Sequence, residues 1–354
     1  MNQSQSPTIE RNHDLDIYRG VAMIYIVGFI HIIGYWIDPH TNDLLSLTDI
    51  VMPIIFYISG ASYSLSQRKS YGVYVKGRIK RIIIPLAVYM GIYILHNTIN
   101  GEIAPQELPN TIVRYTYYTI ADKFRDLGHI WFITPYLIIA LLLPFMHYVS
   151  SRIGQYGTYV LLLASMVGLY FYPNYLLCHG VSTYAGLYYL RSKPYKSVVV
   201  LLIFAAGIIL WIAQGGEWNI QINKFPPTLM FLSYTSCMLI LLHQPLKWLC
   251  RQAYRIEFIK YIIDQYAHNG YIIYLYHVNI IRFIHFVYYS LCEKLSLQDT
   301  FLMHPLCSLT VIATTTLLGM IAVGKIISPI NNMATRICSY TWHKCTSIFA
   351  TMSR

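Results

Sequence analysis

The sequence predicts an all-α, polytopic integral membrane protein with about ten transmembrane helices and both termini cytoplasmic. Three observations predict it. Charged residues make up 12% of the 354 positions and hydrophobic residues 56%, whereas an ordinary soluble domain carries about 25% charge. Ten apolar runs approach the length a membrane crossing needs, about 20 residues. The basic residues then fall mostly on one side of those runs. A cytosolic globular enzyme is excluded because too little polar surface remains to cover one. Disordered and fibrous chains are excluded too, since no low-complexity tract exists and Gly 20 with Pro 15 is ordinary. The formal charge of +11 needs no nucleic acid, because a basic cytoplasmic face explains it.

The apolar runs lie near 20–37, 47–66, 82–98, 129–149, 157–172, 179–190, 197–214, 227–244, 270–290 and 303–327. The sixth is the shortest. The linkers 99–128 and 245–269 are long enough to hold short helices of their own. With the N-terminus cytoplasmic and the spans alternating, 20 of the 26 Lys and Arg residues fall on the cytoplasmic side, five fall outside and Arg282 lies within a span. That bias is what the positive-inside rule asks for. The organisation is a cytoplasmic segment 1–18, one membrane domain 19–328 and a cytoplasmic tail 329–354. The first run is too long, and its approach too acidic, for a cleaved signal peptide. The seven cysteines show no metal or CxxC spacing, so neither a disulfide framework nor a metal is expected. The 33 tyrosines partly populate interfacial belts, and those in mid-span could line a polar cavity.

Ionisable groups inside spans are costly and point to function. The first span holds His31. A neutral, hydrogen-bonded imidazole would be an ordinary core residue; the functional alternative is a general base or proton carrier, since histidine titrates near neutrality. Arg19 opens this helix just behind Asp14 and Asp16, where it could equally be a snorkelling anchor. In the second span, Pro53 predicts a break or kink, and Ser59-Gly60 predicts close helix approach. Arg78 and Arg81, three residues apart before the third span, share a helical face. They either set topology or bind phosphate, for which arginine forks are well shaped. His129 and Trp131 precede the fourth span; a Trp there is an ordinary belt residue, while the adjacent His is less so. Pro226-Pro227 reads as the start of the eighth span. In the ninth, Tyr274, Tyr276 and His277 begin a polar series that continues with Asn279, Arg282 and His285. An arginine at that depth is expected to face protein or water.

In order, Asp16-Ile-Tyr-Arg19-Gly20 with His31, Met52-Pro53 with Phe56-Tyr57-Ile58-Ser59-Gly60, Arg78-x-x-Arg81-x-x-x-Pro85, His129-Ile-Trp131-Phe132 and Tyr274-Leu-Tyr276-His277 resemble the membrane-bound acyltransferase family 3, which includes bacterial O-acetyltransferases of surface polysaccharides. Each motif is weak alone; five in order across nearly the whole chain are fairly specific. The resemblance implies transfer of an acyl group, usually acetyl, from cytoplasmic acyl-CoA to a sugar hydroxyl or similar acceptor. It makes His31 and Arg19 catalytic and gives Arg78 and Arg81 to catalysis or to the CoA phosphates. Trp131, with His129, Ser59, His277 and Arg282, would shape the substrate cavity. Acetyl-CoA or another acyl-CoA is the donor and no metal is implied. The partners are membrane lipid, acyl-CoA and a glycan acceptor, with a homodimer compatible and nucleic acid absent. The location is the bacterial inner (cytoplasmic) membrane, multi-pass.

One departure concerns geometry. The family usually has ten residues between the arginine and the histidine, and this chain has eleven, Gly20 through Ile30. Eleven helical steps would bring the two groups within about 20° of one face, whereas twelve leave them about 120° apart. A π-bulge within Val21–Ile30, eased by Gly28, would absorb the extra residue. A second departure is that Thr48-Asp49 stands where the family has a histidine-rich approach to the second span. The expected chemistry is general-base acyl transfer, with a covalent acyl-histidine as the variant. The rival function is a secondary transporter or flippase for lipid-linked sugars that uses His31 and Arg282 as a relay. No convincing internal repeat supports the rival. A sensor or structural membrane protein is the third reading.

Overall fold

The computed structural model describes residues 12–34, 42–66, 70–101, 104–107, 128–188, 194–297 and 300–352. Of the Lys and Arg residues counted by side above, Arg11, Arg68, Lys69, Arg114, Lys123, Arg125, Arg191, Lys193 and Arg354 lie outside the described residues. Every regular element among the described residues is helical. The helices are α1 (His13–Tyr25), α2 (His31–Ile33), α3 (Asp43–Ser46), α4 (Val51–Ser64), α5 (Tyr71–Ile99), α6 (Ile133–Arg152), α7 (Gln155–Phe171), α8 (Tyr175–Gly186), α9 (Pro194–Ala213), α10 (Leu229–Ala253), α11 (Glu257–Lys294) and α12 (Pro305–Met352). A π-helical segment, Ile26–Ile30, joins α1 to α2, and a 3-10 segment, Gly128–Phe132, leads into α6.

A helix stands at each of the ten apolar runs. Among the described residues, seven stretches are long and apolar enough to cross a membrane, while 155–171 and 197–213 are shorter apolar helices. The run expected at 179–190 is α8, displaced toward the N-terminus because Asn174 caps it by accepting from the Leu176 and Leu177 amides.

Four local expectations change. Pro53 does not kink α4; it lies in the first turn, where the missing N–H has no intrahelical partner to lose. Pro226-Pro227 does not start the eighth span helix, because Thr228 caps it and Leu229 is its first residue. The linker 245–269 holds no separate helix: α10 runs on to Ala253 and α11 begins at Glu257. The tail 329–354 is continuous with α12, which carries Pro329 in its interior and extends to Met352.

The chain forms two compact units, residues 1–70 with 138–268, and residues 71–137 with 269–354. Helices α6 and α11 each contribute to both. In lipid there is little hydrophobic drive between helices, so close packing and polar contacts must hold them together. The first unit shows the packing term plainly. A Cβ at Gly60 would strike the Thr183 carbonyl, and one at Gly186 would strike the Tyr57 carbonyl, so α4 and α8 touch backbone to backbone at reciprocal glycines. Met166, Leu169, Cys178, Phe204, Leu229, Phe231 and Leu232 form the apolar core where α7, α8, α9 and α10 meet. In the second unit polar contacts do more of the tying. Lys80 donates to Ser339 (2.5 Å), Tyr271 donates to the Ile82 carbonyl (3.1 Å) and Tyr89 donates to Asn279 (3.0 Å). These bonds link α5 to α12 and twice to α11.

Candidate active site

Arg19 and His31 belong to the first unit, on one nearly continuous helix. Asn12 caps α1 by accepting from the Leu15 amide (3.2 Å), and Asp14 and Asp16 occupy the first turn, where acidic groups favour the helix N-terminus. Arg19 donates to Asp16 (2.9 Å) and to Ser62 of α4 (3.1 Å). Its guanidinium is thereby held between two helices rather than extended into solvent. Gly20 follows because a Cβ there would run into the Ile263 carbonyl of α11.

The π segment falls within the stretch where the extra residue required one. The His31 amide donates to the Ile26 carbonyl, five residues back, which is the π rather than the α register. With one residue absorbed, the twelve steps from Arg19 to His31 act as eleven, and the two groups share a face to within about 20°. Side chains fix the bulge at its N-terminal end. Tyr25 stacks on Phe29 (ring centroids 5.1 Å) and donates its hydroxyl to the Thr48 carbonyl (2.7 Å), while Ile26 and Val27 are buried. His31 is half-buried.

A polar layer lies beside that pin, where the sequence departs at Thr48-Asp49. Asp49 is buried and paired with the equally buried Lys224 (2.5 Å). Asn219 donates to Asp43 (2.7 Å), and the Ile220 amide donates to Ser46 (3.2 Å). Tyr234 of α10 donates to the Leu47 carbonyl (2.8 Å). Residues 219–224 and 43–49 are thus locked together. Elsewhere in this unit, Arg251 makes a two-nitrogen contact to Asp14 (2.8 and 3.2 Å), reinforced by Lys247 (3.5 Å).

The second unit carries Arg78, Arg81, His129, Trp131, His277 and Arg282. Arg78 is half-buried and lies over the Tyr74 ring (5.2 Å), while Arg81 is exposed. His129 and His277 are buried and meet edge to face (ring centroids 5.4 Å). Each imidazole is tied to α11 backbone. His129 Nε2 lies 3.1 Å from the Leu275 carbonyl and His277 Nδ1 2.6 Å from the Tyr274 carbonyl. A carbonyl only accepts, so those nitrogens carry the protons. Tyr274 closes the loop by donating to the His129 carbonyl. His129 Nδ1 and the Tyr276 hydroxyl are buried with no hydrogen-bond partner among the described residues. An unsatisfied buried polar group costs about 1–3 kcal/mol. Both rings pack on Tyr89, at 6.1 and 5.0 Å between centroids.

The sequence-predicted residues therefore divide. Arg19, His31 and Ser59 lie in the first unit, with Ser59 buried on α4, and the remaining six lie in the second. His129 and His277 come together. Arg282 is exposed on α11, and Trp131 is half-buried in the 3-10 segment. Sequence reasoning passed over Ser62, Lys224 and Tyr89. Lys224 counted only as a loop charge, and Tyr89 was one tyrosine among 33, although its mid-span place was a signal. An apolar groove of about 230 Å³ between α7, α9 and α10 includes none of these residues. Among the described residues, no cluster of three or more His, Cys, Asp or Glu side chains could hold a metal ion.

Comparison with curated proteins and with solved structures gives no match. A family model described as an acyltransferase domain, that of acyltransferase family 3, matches residues 12–325. That interval takes in α1 with its π segment, the Asp49–Lys224 layer, the arginines of α5 and the His129–His277 pair. The chain belongs to acyltransferase family 3.

Proposed function

We propose that this acyltransferase moves an acyl group, acetyl by the family resemblance, from cytoplasmic acyl-CoA to a hydroxyl of a carbohydrate or related acceptor, with His31 as general base. The observation that carries the reading is the π segment, which returns His31 to the face of Arg19 despite the extra residue. Neutral His31 takes the proton of the acceptor hydroxyl as its oxygen attacks the thioester carbonyl. The tetrahedral oxyanion then collapses and expels the CoA thiolate, which recovers the proton from the imidazolium. Ester and free CoA thiol result, and no other reactant is needed. Arg19, fixed by Asp16 and Ser62, shares the face of His31 but stands about 17 Å from it along the helix, so its positive charge serves the donor's path rather than the oxyanion. Arg78 and Arg81 hold CoA phosphates. The charge bias supports ten membrane crossings with cytoplasmic termini, and the family resemblance points to the bacterial inner membrane.

The test uses purified protein and radiolabelled acetyl-CoA. Acetyl transfer or thioester hydrolysis is expected in the parent and lost in His31→Ala, with acetyl-CoA binding retained. Full acetylation by His31→Ala would refute the role assigned to His31.

A further inference from the structure

We propose that His129 Nδ1 and the Tyr276 hydroxyl form a subsite for an amide of the pantetheine arm of acyl-CoA; this rests on the donor reading above. His129 is 8% exposed and Tyr276 9%. The polar atom of each has no partner among the described residues. The Leu275 carbonyl holds the proton of His129 on Nε2 (3.1 Å), so Nδ1 presents a lone pair. The Tyr276 hydroxyl can donate. An amide offers the converse pair, an N–H for Nδ1 and a carbonyl for the hydroxyl. Both atoms are uncharged, which suits a neutral polar chain rather than an ion at membrane depth.

Helix α5 supplies the distance. Tyr89, on which both rings pack, lies eight residues beyond Arg81 and eleven beyond Arg78. The helix rises about 12 and 16 Å over those intervals. Eleven steps also return Tyr89 to within about 20° of the face of Arg78. The pantetheine arm has about as many chain bonds from phosphate oxygen to sulfur as four extended residues, a reach of about 14 Å. A phosphate held by the arginines sets the second amide of the arm, nine chain bonds and about 10 Å along, within about one helical turn of Tyr89, on which His129 and Tyr276 pack. All of these residues belong to the second unit.

The experiment measures binding of acetyl-CoA and of adenosine 3′,5′-bisphosphate, which lacks the arm, to the full chain in detergent. His129→Gln keeps a donor at the Nε2 position and removes the Nδ1 acceptor; His129→Asn keeps an acceptor near Nδ1 and loses the bond to Leu275. The expected result is acetyl-CoA affinity weakened about tenfold in His129→Gln and about threefold in Tyr276→Phe. His129→Asn stays close to the parent, and bisphosphate affinity is unchanged throughout. Loss in His129→Asn with retention in His129→Gln would assign His129 to the Leu275 bond alone and overturn the subsite. Equal weakening of both probes would overturn it as well, since the effect would not lie on the arm. Unchanged acetyl-CoA affinity in His129→Gln would overturn the subsite and leave the donor reading standing. A parent that binds no acetyl-CoA would refute the donor reading itself, and the subsite with it.

Discussion

In the unit formed by residues 1–70 and 138–268, charges meet charges. Arg19 pairs with Asp16, Asp49 with Lys224, and Asp14 with Arg251 and Lys247. In the unit formed by residues 71–137 and 269–354, the buried polar groups are uncharged, and His129 Nδ1, the Tyr276 hydroxyl, Thr316 Oγ1 and both amide atoms of Asn331 have no hydrogen-bond partner among the described residues. The two arrangements respond differently to substitution. A charge removed from a buried pair strands its partner, which is a stability effect of several kcal/mol. A neutral group that already lacks a partner has little folding energy to lose. On the proposed function, the proton chemistry of His31 lies in the first unit and the contacts to the donor in the second.

The strongest way to break this contrast is at His31. His31→Ala should lower acetyl transfer by about 10²–10⁴-fold, the range of general-base catalysis, with the thermal unfolding midpoint little changed. A small rate effect would remove the proton chemistry from the first unit. Next in size is the Asp49–Lys224 pair. Lys224→Ala should destabilise the protein by about 3–5 kcal/mol, because it leaves a buried carboxylate unpaired. Lys224→Met combined with Asp49→Leu should recover most of that loss, since an apolar replacement of a buried pair is often neutral. Thermal unfolding in detergent reads both. A double variant as unstable as the single one would mean that the carboxylate has a role beyond pairing.

The helical class and the places of the helices were legible because hydropathy and length act locally, residue by residue. Their ends were less so. Thr228, rather than Pro226-Pro227, starts α10, and α12 ignores the expected boundary at 329, because capping and tertiary contacts decide ends. The need for a π segment was legible from the family resemblance taken with the spacing, since twelve steps cannot align Arg19 with His31 in a regular helix. Its span, Ile26–Ile30, was not, because the pin from Tyr25 to Thr48 is a contact across 23 residues. The same reason hid Ser62 from Arg19 and Lys224 from Asp49. Single-residue chemistry flags candidates, but a pair distant in sequence is visible only once folded. His129 and His277 were both flagged as candidates, yet their shared attachment to α11 backbone had no sequence signal.

A smaller effect is expected where α4 meets α8. Gly60→Val should destabilise by about 1–3 kcal/mol, the usual range for overpacking, since its side chain must push against the Thr183 backbone. Ser59→Ala beside it should be nearly silent if Ser59 only packs; a selective change in KM would give Ser59 a place at substrate.

The smallest effect is the most discriminating. Deleting Gly28 should convert Ile26–Ile30 to a regular turn and restore the eleven-step spacing from Arg19, leaving acetyl transfer within about threefold of the parent. Residues beyond the bulge keep their place, because the removed residue is the one the π register absorbed. Inserting an alanine after Gly28 instead adds a further 100° and should reduce transfer by about 10²-fold, as small misplacements of catalytic groups do. If the deletion variant folds, binds acetyl-CoA and is inactive, the π segment is itself needed rather than a compensation for spacing. The alignment of Arg19 with His31 would then no longer explain why the bulge is there.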